Sequence, residues 1–193
     1  MGNKNKLVVA ISYWESDPGK REVLNDCLIS LKGYDELLVL AGKQPTLPIA
    51  WNMCLDLAFG TMKAEYVVLM NDDVVLTKGE VRDLCKPGAV VSPLINGGDW
   101  KIFHAHVFCL PKTVWEKVGR FDEQFQVYWA DTSYAVRLKR AGVPVEISRD
   151  VDFMHKEPAR TLRHFQGITE KSDRDIFVEM YGREYFDPIR EIK

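Results

Sequence analysis

Three short apolar runs, Leu7–Ile11 (LVVAI), Glu36–Leu40 (ELLVL) and Tyr66–Met70 (YVVLM), limit what this chain can become. A strand wetted on one face alternates apolar and polar residues, whereas one covered on both faces is apolar throughout. Between the first two runs, Val23, Leu24, Cys27, Leu28 and Leu31 recur at helical spacing. Asp17–Pro18 reads as their N-cap and first helical residue, and Gly33 as their stop. Between the second and third, Pro48 opens a helix whose apolar face is Ile49, Ala50, Met53, Cys54 and Leu57, with Gly60 closing it. Strand and helix in alternation predict an α/β fold with a mostly parallel central sheet and helices on both faces.

The second half of the chain is more mixed. Ala89–Ser92 and Phe103–Leu110 are strand candidates, separated by a loop with Asn96-Gly97-Gly98-Asp99. Lys112–Val118 is a short helix closed by Gly119. Thr132–Ala141 is another, with Asp131 as N-cap and Gly142 as stop, followed by a strand over Val143–Ile147. Ile168–Tyr181 is expected to be a C-terminal helix with a solvated charged face. No repeat or long linker interrupts the 193 residues, so one domain over 1–193 is expected.

Composition narrows the function. Hydrophobic residues at 46% and charged residues at 28% fit a globular chain, and a net charge of −2 gives no general attraction to nucleic acid or anionic membrane. The longest apolar runs fall well short of the roughly 20 residues that span a bilayer, and no secretory leader is visible. A cytoplasmic protein with no membrane partner is expected. Cys27, Cys54, Cys85 and Cys109 are widely spaced without a C-x-x-C pair, which argues against zinc and against a disulfide framework.

Three groups of residues carry candidate chemistry. Asn71-Asp72-Asp73 follows an apolar strand directly. Ligands of open α/β sheets sit at the carboxyl ends of strands, and carboxylates there can hold a hard divalent cation together with phosphate oxygens. The plainer reading is a turn capped by Asn and Asp. Asp131, before a helix, is either a cap worth about 1 kcal/mol or a general base toward a hydroxyl. His155 is either structural or the neutral imidazole that completes a metal site. His104 and His106 alternate on one strand side without further support.

These signals occur in an order that resembles the inverting glycosyltransferases of GT-A fold, family 2. Leu7–Tyr13 resembles the family's first strand, and Asn52 in Pro48-Ile49-Ala50-Trp51-Asn52 the asparagine of its "G-x-A-x-A-x-N" helix. Asn71-Asp72-Asp73 is similar to its DxD element, Val118–Glu123 to "lGgFDE", and Tyr128–Gly142 to "y-x-E-D-x-d-l-x-x-R-x-x-x-x-G". His155 lies where many members place a late metal-contacting histidine. The likeness covers about residues 7–155.

The resemblance implies a metal-dependent glycosyltransferase that moves a sugar from a nucleotide-sugar to a hydroxyl acceptor with inversion. Its donor half would be about 1–94 and its catalytic and acceptor half about 95–193. Asp73 and His155 would hold Mn or Mg, and Asp131 would be the base, with Arg137 steadying its helix. Ser12, Tyr13, Trp14, Asn52, Asn71 and Asp72 would bind the donor, a UDP-sugar by this reading. Lys156, Arg160 and Arg163 are candidates for phosphate or acceptor contacts. The acceptor stays open among a glycan, a protein and a modified nucleic acid. Two features depart from the pattern. No acid follows the second strand, which ends in Ala41-Gly42-Lys43-Gln44-Pro45, and Ala130 replaces the acid before Asp131. The processivity motif "Q-x-x-R-W" is also absent. Alternatives are a non-catalytic nucleotide-sugar-binding module of the same fold and a nucleotidyltransferase. The latter needs a Gly-rich phosphate loop after the first strand, where only Gly19 is found.

Overall fold

The structure, a computed structural model, describes residues 6–14, 19–34, 36–98, 103, 105–156 and 168–183. Its seven strands are β1 (Leu7–Tyr13), β2 (Leu37–Ala41), β3 (Tyr66–Asn71), β4 (Val74–Lys78), β5 (Val90–Ile95), β6 (Val107–Pro111) and β7 (Val145–His155). The helices are α1 (Lys20–Ser30), α2 (Leu47–Leu55), α3 (Lys112–Val118), α4 (Ala130–Arg140) and α5 (Ile168–Tyr181). One sheet runs β2-β1-β3-β6-β5-β7-β4. β1 lies parallel to β2 and β3, and β5 parallel to β7. β6 is antiparallel to both β3 and β5, and β4 to β7. The expected α/β architecture is therefore present, with parallel strands gathered in the first half and a mixed second half.

Alternation along β1 explains why its sequence is apolar throughout. Val8 and Ala10 face a core built with α2, α3, α4 and α5, where Trp51, Val114, Tyr134 and Phe177 are buried. Leu7, Val9 and Ile11 face the opposite core under α1, beside Leu24, Cys27 and Leu31. Each side chain from Leu7 to Ile11 is thus removed from water on one face or the other, the chief stabilising term of such a layer.

Several boundaries differ from the sequence expectation for identifiable reasons. Asp17 and Pro18 lie outside the described residues, and α1 starts at Lys20 after Gly19, without a side-chain cap. In α2 the cap is Thr46, whose hydroxyl accepts the Ile49 N–H at 3.3 Å. Gly60 does not stop this helix: the chain widens into a π-helical turn over Asp56–Thr61. Asp131 is not the cap of α4; Trp129 holds that place in a left-handed conformation, φ 63°, and Asp131 sits inside the first turn.

The largest departures are β4, which directly follows the acidic turn, and the length of β7. The β5–β7 register runs Pro93↔Ser148 and then Leu94↔Asp152, so Arg149–Val151 bulge out before pairing resumes. Past the bulge β7 also pairs with β4, aligning Val74 with His155.

Candidate functional site

The parallel registers gather chain ends at one edge. Ser12 lies beside Asn71 and Tyr13 beside Ala41, so β1, β2 and β3 end together. From the antiparallel side, the Asn71 N–H donates to the His106 carbonyl at 2.9 Å, which brings in the start of β6. The β4–β7 pairing delivers His155. A cavity of about 800 Å³ opens here, walled by Ser12–Trp14, Lys20, Asn71–Asp73, Asn96, His106, Gln126–Trp129, Asp131 and His155. This is the carboxyl-end crevice in which α/β sheets hold ligands.

Two acids with different environments occupy its floor. Asp72 is 6% exposed and Asp73 7%. Asp72 receives the Lys20 ammonium on both oxygens at 3.1 Å. Burial pushes its carboxyl up to about 6 despite the opposing pull of Lys20. Asp73 is equally desolvated, yet the hydrogen bond and charge of His155, with Lys20 and His106, more than offset burial and hold it below the usual carboxylate range. His155 Nε2 stands 3.1 Å from Asp73 Oδ2. The rings of His155 and His106 lie 4.4 Å apart, and Asn71 Nδ2 is 3.3 Å from His106 Nδ1. Asn96 fixes the backbone of His155, whose N–H donates to Asn96 Oδ1 at 2.9 Å.

Asp73 Oδ1 is buried without a hydrogen-bond partner. An orphaned carboxylate oxygen in a closed site is costly, and it is the donor a hard cation seeks. Among the described residues, no three His, Cys, Asp or Glu side chains are clustered as a complete metal cage. The orphaned oxygen of Asp73 beside His155 fits a divalent ion that would draw its remaining ligands from substrate phosphates and water. The Tyr13 hydroxyl is likewise buried without a partner. Trp14 presents its ring at the β1 end, with Lys43 Nζ 5.5 Å from the ring centroid.

Asp131 reaches the same cavity from α4, its Oδ1 accepting the Thr132 N–H at 2.8 Å. Other expected site residues are placed elsewhere. Asn52 does not wall the cavity: it is fully buried, with Nδ2 donating to the Phe121 carbonyl at 3.0 Å and to Glu123 Oε1 at 2.8 Å. Its Oδ1 accepts the Phe121 N–H at 2.9 Å. Arg137 donates to the carbonyls of Val118 and Arg120, so the 118–123 turn is gripped from α2 and α4 together. Lys156 turns outward to an ion pair with Asp26 of α1. Arg160, Arg163 and His104 lie outside the described residues.

Sequence reasoning missed Lys20, Asn96 and Asp173. A solvated charged face is expected for the helix over 168–181, but its Asp173 is 0% exposed. Its Oδ1 accepts the Gln126 N–H at 3.0 Å, and its Oδ2 those of Val127 and Tyr128 at 2.9 Å each.

No protein-family model matches the sequence, and no curated protein matches it significantly. Solved structures do match in three dimensions. The mannosyltransferase PcManGT from Pyrobaculum calidifontis, in complex with GDP-Man and Mn2+, superposes with TM-score 0.62 at 17% identity, over 98% of this chain and 69% of that one. TarS from S. aureus matches with TM-score 0.58 at 10% identity, over 82% and 62%. A glycosyltransferase involved in glycosylation of the PBCV-1 major capsid matches with TM-score 0.51 at 12% identity, over 91% and 100%. The chain thus shares the GT-A fold with these structures. Among the described residues no helix is long and apolar enough to cross a membrane.

Proposed function

We propose that the chain is a metal-dependent, inverting glycosyltransferase that uses a nucleotide-diphosphate-sugar. The observation that carries this reading is the meeting of Asp73, with its orphaned oxygen, His155 and Asp131 in one cavity at the carboxyl ends of β1 and β3. The structural relative holding GDP-Man and Mn2+ supports a donor and an ion of these classes. Asp73 and His155 would hold Mn or Mg, with Asp72 near the ion or the ribose. Such an ion supplies neutralisation of the diphosphate.

The chain's own residues do the rest. Trp14 offers a face for the base, beside Ser12, Tyr13 and the Asn71 amide. Lys20 already sits at Asp72, and its ammonium is within the same cavity to meet a phosphate oxygen. Asp131 takes the proton of the acceptor hydroxyl as its oxygen attacks the anomeric carbon. The new C–O bond forms as the bond from that carbon to the diphosphate oxygen breaks. The nucleoside diphosphate leaves, and configuration inverts. In this reading 1–94 hold the donor, and 95–193 supply Asp131, His155 and the acceptor wall. The base is uracil or guanine: uracil by family resemblance, guanine by the relative's ligand.

A second reading, a non-catalytic nucleotide-sugar-binding module, draws on Ala130 and on the acid-free end of β2 at Ala41–Pro45. Incubation with UDP-, GDP-, CMP- and dTDP-sugars in Mn, Mg or EDTA, with detection of released nucleotide, separates the two. Release from one donor, lost in EDTA and in Asp73→Ala and Asp131→Ala, is expected. Metal-dependent binding with no release on any acceptor panel would establish the binding module, and no binding of any donor would refute both.

A further inference from the structure

One wall of the cavity is an irregular segment, Gln126–Trp129, that leads straight into Asp131. Among the described residues no strand pairs with it to take its backbone donors, and buried N–H groups must find acceptors. Asp173 of α5 takes three in succession, from Gln126, Val127 and Tyr128. A carboxylate is the side chain suited to this, because it accepts at both oxygens and donates at neither. On the other side of the segment, the Leu47 N–H at the start of α2 donates to the Gln126 carbonyl at 2.8 Å. Trp129 packs on Phe177 of α5 with centroids 5.1 Å apart. Of the charged residues near it on α5, Lys171, Arg174 and Asp175 are exposed, so Asp173 is turned inward against the trend of its helix.

We propose that Asp173 is a positioning residue for the transfer reaction: its carboxylate sets the Gln126–Trp129 wall and, through it, the orientation of Asp131 toward the acceptor. The inference rests on the reading of Asp131 as base. The donor end of the cavity, Ser12–Trp14 and Asn71–Asp73, is carried by β1, β3 and the turn after β3, so Asp173 acts on turnover and leaves donor affinity in place.

The test uses the full chain with Asp173→Asn and Asp173→Ala. Tyr181→Phe serves for comparison, since it loses the 2.9 Å Ser133 Oγ–Tyr181 hydroxyl contact between α4 and α5 without touching the wall. Amide hydrogen exchange over 126–130 should rise by roughly tenfold or more in Asp173→Asn, with 66–73 unchanged. Nucleotide release should fall by about 10²-fold at saturating donor, as for a misplaced reactive group. Mn-dependent affinity for UDP and GDP should stay within about twofold. Tyr181→Phe should lower stability without the loss of turnover. Unchanged exchange over 126–130 overturns the proposal whatever the activity. So does a turnover loss that Tyr181→Phe reproduces at equal loss of Tm. If the wild type neither binds nucleotide nor releases it, the transferase reading fails, while the exchange data still decide whether Asp173 sets the wall.

Discussion

Replacing Asn52 by Leu separates two roles that the family pattern and the structure give this residue. Leu keeps the branching and heavy-atom count of Asn, so the change removes hydrogen bonds with only the bulk of two methyl groups added. The variant strips partners from the Phe121 N–H and carbonyl, both buried, and from Glu123 Oε1, which keeps Arg120 at 2.9 Å and lies open to water. Each unsatisfied buried group costs about 1–3 kcal/mol. Two such groups give about 2–4 kcal/mol after partial relaxation, while the Glu123 contact adds little because exposed groups regain water. For a chain of this size that corresponds to a Tm lower by roughly 5–15 °C. Thermal and urea denaturation would read the loss, and Mn-dependent nucleotide binding would be titrated beside them. The expected result is a large stability loss with affinity for UDP and GDP unchanged below the new transition. An unaltered Tm with a tenfold or greater loss of affinity would refute the reasoning and return Asn52 to the donor site.

Two further outcomes test the floor of the site and the frame behind it. Asp72 holds its proton to about 6, against an ordinary value of 3.8, mainly through burial, so its ionisation costs stability as pH rises from about 4 to 6. In EDTA, Asp72→Asn should therefore gain on the wild type across that window by up to about 3 kcal/mol and hold the gain above it; a flat difference from pH 4 to 7 in denaturant titrations would contradict this. Gly79 has φ 77°, and a Cβ there would strike the Asp150 carbonyl oxygen at the β7 bulge, whereas Gly88, φ 72°, has open space. Gly88→Ala should cost about 1–2 kcal/mol for backbone conformation alone and Gly79→Ala clearly more; equal losses in urea would show that the bulge yields.

Physical chemistry explains which parts could be read from sequence. β1 and β3 were legible because two-sided burial demands unbroken apolar runs. β4 was not, since Val74 follows the acidic turn without a gap and its partner, β7, lies more than 70 residues on. The end of β7 was hidden by Arg149 and Asp150, which look like a strand terminus but sit in a bulge. Of the site, the Asp72–Asp73 pair, Asp131 and His155 were found through their order, and the structure brings them into one cavity. Asn52 was read as a donor contact, and the structure ties it to the 118–123 turn instead, because an asparagine on a helix looks the same in sequence whether it faces a ligand or a neighbouring turn. Asp173 had no signal at all. Its partners are backbone N–H groups of a distant segment, which leave no side-chain trace in sequence, and its neighbours on α5 are exposed ions.

The bulge in β7 also breaks a parity. Pro93 and Leu94 point to opposite faces of β5, yet their partners Ser148 and Asp152 are four residues apart, a spacing that unbroken alternation would leave on one face. The three residues that leave the ladder therefore switch β7 from one face to the other, and the resumed pairing of Asp152 with Leu94 and of His155 with Val74 sets the imidazole against Asp73. A change of length inside the bulge can be absorbed there, whereas a slip of the ladder by one residue beyond it would turn the histidine out of the cavity without changing one residue of its lining.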